Sequence, residues 1–223
     1  MTEPAGASDL AAETVPTPRT PGSPLEPSWA AWVLGCRPRV GRVRLVCIDG
    51  PAGSGKTSLA GGLAAALTAA RPQLGAVPVV HGDEVYEGWD VVAAAPDRVH
   101  AFGLLAGHLD SWLLEPWREG RSGRHPTWDW HAARWGADVE VAAQPVVILE
   151  GVGLAAAALR AHAVLTIWVD ADVEVRLARV LARDGEQLRA QMTSWQRDEH
   201  EWHRLDRTRD SADVRLVTTP EPA

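Results

Sequence analysis

The sequence contains no asparagine and a single lysine, Lys56. The first absence removes the Asn-Lys-x-Asp motif with which GTPases read guanine. The second leaves arginine as the cation everywhere else, so one lysine must stand where a compact point charge is needed. Two cysteines at unrelated spacing, Cys36 and Cys47, offer neither a disulfide framework nor a zinc motif, and the expected compartment is the reducing cytosol. A formal charge of −7 argues against a nucleic-acid surface and confines cationic function to Lys56 and a few arginines. Long clean apolar runs are also missing. The richest, from Gly151 to Val169, is alanine-heavy and broken by Arg160 and His162, so it predicts a helix and a strand and neither a membrane span nor a signal peptide.

What is present centres on Gly50-Pro51-Ala52-Gly53-Ser54-Gly55-Lys56-Thr57, which fills every fixed position of the phosphate-loop pattern G-x-x-x-x-G-K-[ST]. The β-branched run Val43 to Ile48 before it predicts a buried strand, and Ser58 to Ala70 after it predicts a helix. In that context the loop, with Ser58, is the expected cradle for nucleotide phosphates. Gly50, Gly53 and Gly55 let successive amides turn inward, and the helix start adds its positive dipole end. Lys56 can reach the β- and γ-phosphates, and the Thr57 hydroxyl can ligate magnesium. Gly61 and Gly62 inside the helix either let it lie close to a sheet or reflect drift in an Ala/Gly-rich sequence.

At 223 residues the chain suits one well-buried α/β domain with a tail. Residues 1–28 are rich in Pro, Ala, Thr, Gly and Ser and are expected to be disordered, leaving 29–223 as the domain. Trp29 to Leu34 either packs across that domain or forms a loosely attached helix. Val77 to Val80 predicts a second strand, and Asp83 falls beyond its carboxyl end, where functional groups of open α/β sheets gather. A carboxylate there can take a proton from an attacking hydroxyl or hold magnesium through water; a loop or N-cap aspartate is the other reading. Pro96 to Glu119 predicts a long helix with Phe102, Leu105, Leu109, Trp112 and Leu113 on one face, fraying near Pro116, and 120–126 predicts a basic loop.

Trp128-Asp129-Trp130-His131-Ala132-Ala133-Arg134-Trp135 mixes flat π surfaces with polar groups, as a pocket for a planar, polar ligand requires; a tryptophan-rich lid over the core is the alternative. Pro145 to Gly151 is a further buried strand ending in Glu150, a magnesium-ligand position. Val164 to Val169 predicts another strand, followed by a helix from Asp172 to Asp184 with Val173, Leu177, Val180 and Leu181 on its apolar face. Arg176, Arg179 and Arg183 form an adjacent stripe, either a clamp for a transferring phosphoryl group or a solvated face with Asp172 paired to Arg176. His200-Glu201-Trp202-His203 lacks zinc-motif spacing, within a helix expected from Gln187 to Arg204, and Val214 to Val217 predicts the last strand.

Five ordered blocks, G-P-A-G-S-G-K-T, H-G-D-E-V-Y, W-D-W-H, L-E-G-V-G and R-L-A-R-V-L-A-R-D, resemble the uridine kinase group of phosphate-loop nucleoside kinases between about Val43 and Val217. The resemblance implies a three-layer α/β fold, a parallel sheet flanked by helices with a small helical lid. It implies ATP and Mg2+ as cofactors, and phosphoryl transfer to an alcohol group of a nucleoside-like small molecule, with neither nucleic acid nor membrane as partner. Asp83 would be the base, Thr57 and Glu150, with Asp83, the metal site, and Tyr86 with Trp128, Asp129, Trp130 and His131 the substrate wall. Arg179 and Arg183 stand where the family's lid arginines stand. Trp128 replaces the usual tyrosine, Glu84 is the second acid after Asp83, and the lid after Asp184 lacks further arginines. Two other functions fit the same pattern: a nucleoside monophosphate kinase, for which Arg121, Arg124 and Arg134 could bind the extra phosphate, and a regulatory ATP-binding module.

Overall fold

The computed structural model describes residues 27–218. The expected tail lies, for residues 1–26, outside the described residues. Helix α1 (Pro27–Gly35) begins the description, and Trp29 and Val33 on it are fully buried. The patch at Trp29 to Leu34 thus packs across the domain.

Five strands build one parallel sheet: β1 (Arg44–Asp49), β2 (Val79–His81), β5 (Val146–Glu150), β6 (Ala163–Asp170) and β7 (Val214–Val217), in the order β2-β5-β1-β6-β7. The three central strands are buried nearly throughout, which explains their continuous apolar runs: helices cover both faces. On one face, α1 and α2 (Lys56–Ala70) pack over Val46, Ile48, Ile148 and Ile167. On the other, α4 (Arg98–Leu109) and α8 (Arg189–Asp206) pack over Leu45, Cys47 and Leu149, with Trp117 and Phe102 fully buried beside them. Register then sets the site. Ile48 pairs with Glu150 and Glu150 with His81, so the carboxyl ends of β1, β5 and β2 finish side by side.

Short helix α3 (Gly82–Val85) follows β2 directly. The long helix predicted from Pro96 starts at Arg98, where Asp97 caps it by accepting from the His100 amide at 2.9 Å. It does not fray before Pro116. A π-helical turn, Asp110–Leu114, leads into α5 (Glu115–Arg118), and the proline, with no N–H to donate, sits in the first positions of that reset segment.

The stretch predicted as a basic loop is instead strand from Gly123 onward. β3 (Gly123–Asp129) and β4 (Arg134–Val141) form an antiparallel hairpin apart from the main sheet, with the Trp128 to Trp135 block folded round its tip. Seven of the eight β4 residues are exposed, so no alternating apolar signal marks it in the sequence. After β5 come α6 (Ala157–Arg160), β6 and α7 (Val173–Asp184). Val173 is 53 % exposed, so α7's buried face is carried by Val180 and Leu181 without it. A 3-10 turn, Glu186–Leu188, links α7 to α8, and α9 (Thr208–Ser211) precedes β7.

Candidate active site

The loop between β1 and α2 fits its surroundings only because glycine occupies its turns. A Cβ on Gly50 (φ +145°) would lie 1.9 Å from Val169 O, and one on Gly53 (φ +77°) 2.4 Å from Arg176 O. Within α2 the Leu59 amide donates to Gly55 O at 3.1 Å, so the amides of residues 56–58 lie in the helix's first turn, where intrahelical acceptors are lacking. Lys56 is buried, and its Nζ donates to Pro51 O at 3.0 Å, so the ammonium is already drawn over the loop. The Ser54 hydroxyl is buried with no hydrogen-bond partner among the described residues. Orphaned hydroxyl, inward-turned glycines and a helix start together fit a bound phosphate chain.

The loop amides are not all equivalent. Ala52 N–H donates to Glu199 Oε2 at 2.9 Å, Gly50 N–H to Asp49 Oδ1 at 2.6 Å and Ser54 N–H to Pro51 O at 3.2 Å, which leaves the amides of the first turn of α2 for an anion. Asp49 is fully buried and also accepts from the amides of Gly153 (3.0 Å) and Ala155 (2.8 Å), with His203 Nε2 at 3.1 Å. Burial alone would raise the pKa of its carboxyl; the hydrogen bond and charge of His203 and those amides outweigh it and hold the group below its ordinary value.

Thr57 Oγ1 donates to Glu150 Oε1 at 3.0 Å, and His81 Nδ1 lies 2.6 Å from the same oxygen. Hydroxyl and carboxylate are hard oxygen donors, so Thr57 and Glu150 would suit magnesium. Asp83 stands one short step beyond His81, at the start of α3, with its residue surface open to solvent. The protein around its carboxyl nevertheless raises the pKa by desolvation, assisted by the charge of Glu150 and opposed by Lys56 and Arg183. Base candidate, metal candidate and loop cation therefore lie within reach of one another's fields.

The arginine stripe divides. Arg176 turns to Glu199 (2.9 Å) and Ala52 O (3.5 Å), and Arg179 to Thr218 Oγ1 (3.0 Å), Thr218 O (2.9 Å) and Gly53 O (3.3 Å), so both brace the loop from outside. Arg183 forks onto Asp184 at 2.7 and 2.8 Å and feels the charges of Asp83 and Glu150.

The expected substrate wall is brought together only in part. Tyr86 is a core residue: it is 1 % exposed, its hydroxyl donates to Val152 O at 2.7 Å, and it packs against Phe102 and Trp195. It offers no hydroxyl to a ligand without breaking that bond. Trp130 does reach the site, donating from Nε1 to the backbone oxygen of Asp83 at 2.8 Å. Trp128 meets Trp135 edge to face, and Asp129 ties the hairpin turn by accepting from the amides of His131 and Ala132; His131 and Arg134 are exposed. Trp89, not singled out from the sequence, bridges Trp130 and Trp195 in edge-to-face contacts.

Four more residues were missed: Asp49, His81, Glu199 and His203. A signal for two of them existed. Met192, Trp195, Glu199 and His203 recur at three and four residues on α8, so two ionisable groups share its buried face.

Strand order, phosphate loop and the acid on the neighbouring strand define a phosphate-loop kinase fold. A model of the phosphoribulokinase/uridine kinase family matches residues 45–221, and the chain belongs to that family. Among solved structures it is similar to a possible uridine kinase from Bacillus stearothermophilus (19 % identity, TM-score 0.58, covering 84 % of this chain and 95 % of that one). It is equally similar to a candidate fructose transport system kinase from Silicibacter sp. TM1040 (21 % identity, TM-score 0.58, 85 % and 98 % covered). At such identities these likenesses concern the fold. No curated protein sequence matches the chain. Among the described residues no helix is long and apolar enough to cross a membrane.

Proposed function

We propose that the protein is an ATP- and magnesium-dependent kinase that transfers the γ-phosphoryl group to a hydroxyl of a small molecule, a nucleoside in the first instance. The observation that carries this is the row of His81-Gly82-Asp83 and Glu150 at the carboxyl ends of β2 and β5, bonded through Glu150 to Thr57 of the phosphate loop, with Trp130 Nε1 bonded to Asp83 O. A structural cap aspartate would not need to share its field with a loop lysine and a second carboxylate.

In this reading the amides of residues 56–58 and the Lys56 side chain grip the β- and γ-phosphates. Thr57 and Glu150 would hold magnesium, which would supply screening of the phosphate charge. Asp83 accepts the proton of the acceptor hydroxyl as its oxygen attacks the γ-phosphorus. The new O–P bond forms as the bridging bond to the β-phosphate breaks, and ADP leaves with the electron pair. Arg183 neutralises charge on the transferring group, while Arg179 holds the loop. Trp128, Trp130, His131 and Arg134 on the hairpin provide the flat and polar surfaces over the acceptor and shield the phosphoryl group from water.

For an acceptor already carrying a phosphate, exposed Arg134 on the hairpin is the open candidate, since the other two arginines are paired with carboxylates. Arg121 is engaged by Glu119 and Arg124 by Glu140, both on the surface. A purely regulatory module would have no use for Asp83. The deciding experiment measures ADP formation with uridine, cytidine, their monophosphates and a set of free sugars. Stimulation by a nucleoside supports the proposal. Stimulation by sugars alone moves the acceptor class, by monophosphates alone makes it a nucleotide kinase, and by none removes the kinase reading.

A further inference from the structure

Both backbone polar groups of Ala52 are taken by side chains from distant parts of the chain. Its N–H donates to Glu199 Oε2 at 2.9 Å, and Arg176 donates to its carbonyl at 3.5 Å; Glu199 and Arg176 are themselves joined at 2.9 Å. Glu199 is 1 % exposed, and its Oε2 accepts a second bond from Trp195 Nε1 at 2.9 Å. A carboxylate is costly to bury, and this one is tolerated because three donors converge on it. One of those three is the phosphate loop.

The consequence runs through a single peptide plane. In a trans peptide the carbonyl and the N–H point in opposite directions. Anchoring Ala52 N–H to Glu199 on one side therefore turns Pro51 C=O to the other, and that oxygen is the one that holds Lys56 Nζ at 3.0 Å. We infer that Glu199 is a positioning residue for nucleotide binding: it fixes the Pro51–Ala52 peptide so that Pro51 O holds both Lys56 Nζ and the Ser54 amide (3.2 Å), placing Lys56 over the loop and leaving the amides of the first turn of α2 for phosphate. This rests on the proposed reading of the loop as a triphosphate site. Arg176, which the stripe pattern offered as a phosphoryl clamp, is assigned to the same brace.

Three variants test it by calorimetric titration with Mg·ATP and by steady-state kinetics. Glu199→Gln keeps size but has one acceptor oxygen, so it must either lose Ala52 N–H or set an amide NH2 against Arg176. Losing one hydrogen bond to a charged group should raise the Kd and the KM for ATP about tenfold or more, with the acceptor KM unmoved. Trp195→Phe removes the other donor on Oε2 and part of a buried ring packed on Tyr86, Trp89 and Phe102, but leaves Ala52 N–H and Arg176 on Glu199; the melting temperature should fall while Mg·ATP affinity stays within about twofold. That split separates positioning from mere support. If Glu199→Gln does not fold, Arg176→Lys asks the same question: Nη1 meets both Glu199 and Ala52 O while Nε is tied to Ala171 O at 3.0 Å, and a lysine has no second nitrogen to keep that anchor. A folded Glu199→Gln or Arg176→Lys with wild-type affinity for Mg·ATP overturns the inference. Mg·ATP binding needs no acceptor, so a wild type that binds it without turning over any acceptor refutes the kinase proposal alone.

Discussion

The two halves of the site are built differently. The phosphate loop hangs between two buried carboxylates, Asp49 and Glu199, each met by three or more donors from α8, α7, the residues after β5 or the loop itself. The hairpin that carries Trp128, Trp130 and His131 is anchored at its base, where His125 and Val141 are buried and Trp117 Nε1 donates to Val141 O at 3.0 Å, and near its tip by Trp130. Seven of eight β4 residues are nonetheless exposed, and the Arg124–Glu140 ion pair lies on the surface. Buried, fully satisfied polar networks specify one geometry, whereas exposed pairs contribute little. The loop is thus fixed by buried side-chain bonds, whereas β4 is fixed mainly by its partner strand; in the proposed reading the first would hold the nucleotide and the second would meet the acceptor.

Substitutions can break or sharpen this contrast. The largest effect is expected at Asp83, which belongs to neither half's scaffold. Asp83→Asn should lower kcat by about 10²–10⁴ while Mg·ATP affinity in calorimetry is nearly unchanged. Next comes the loop's half. Asp49→Ala removes one partner of a buried, hydrogen-bonded pair and should destabilise the fold by about 3–5 kcal/mol in urea titrations at pH 7. Its pH dependence has a fixed sign. Because the Asp49 carboxyl titrates below its ordinary 3.8 in the folded protein, its contribution is complete above that value and fades as pH falls through the lower folded value. The stability gap between wild type and variant should therefore stay constant from neutrality to about pH 4 and narrow in stronger acid.

Smaller effects belong to the hairpin. Trp130→Phe keeps a ring but removes the donor to Asp83 O; the acceptor KM should rise by about three- to tenfold with the KM for ATP unchanged. Arg124→Ala should change stability by less than about 1 kcal/mol by thermal melting, since both partners are exposed. A large loss there would mean the hairpin is part of the buried scaffold after all.

Legibility in the sequence followed the same division. The phosphate loop, the sheet strands and Glu150 could be read because fully buried parallel strands leave continuous apolar runs, and glycine and lysine stand at fixed spacing. The hairpin could not be read, since β4 is exposed on both faces and carries no period, and Pro126 in β3 argues against a strand. Tyr86 was misplaced for the opposite reason: an aromatic beside an active-site acid looks like a ligand contact, and only the bond to Val152 O and its neighbours show it to be core. Asp49 and Glu199 carry charge at buried positions, which no motif announces, although the spacing of α8 offered a hint.

The most direct test follows γ-labelled ATP with uridine or cytidine and with free sugars, in the wild type and in Asp83→Asn. The account predicts label on the acceptor's hydroxyl in the wild type, and none above background in the variant, with both proteins binding Mg·ATP. Label transferred equally by both, or by neither to any acceptor, would contradict it.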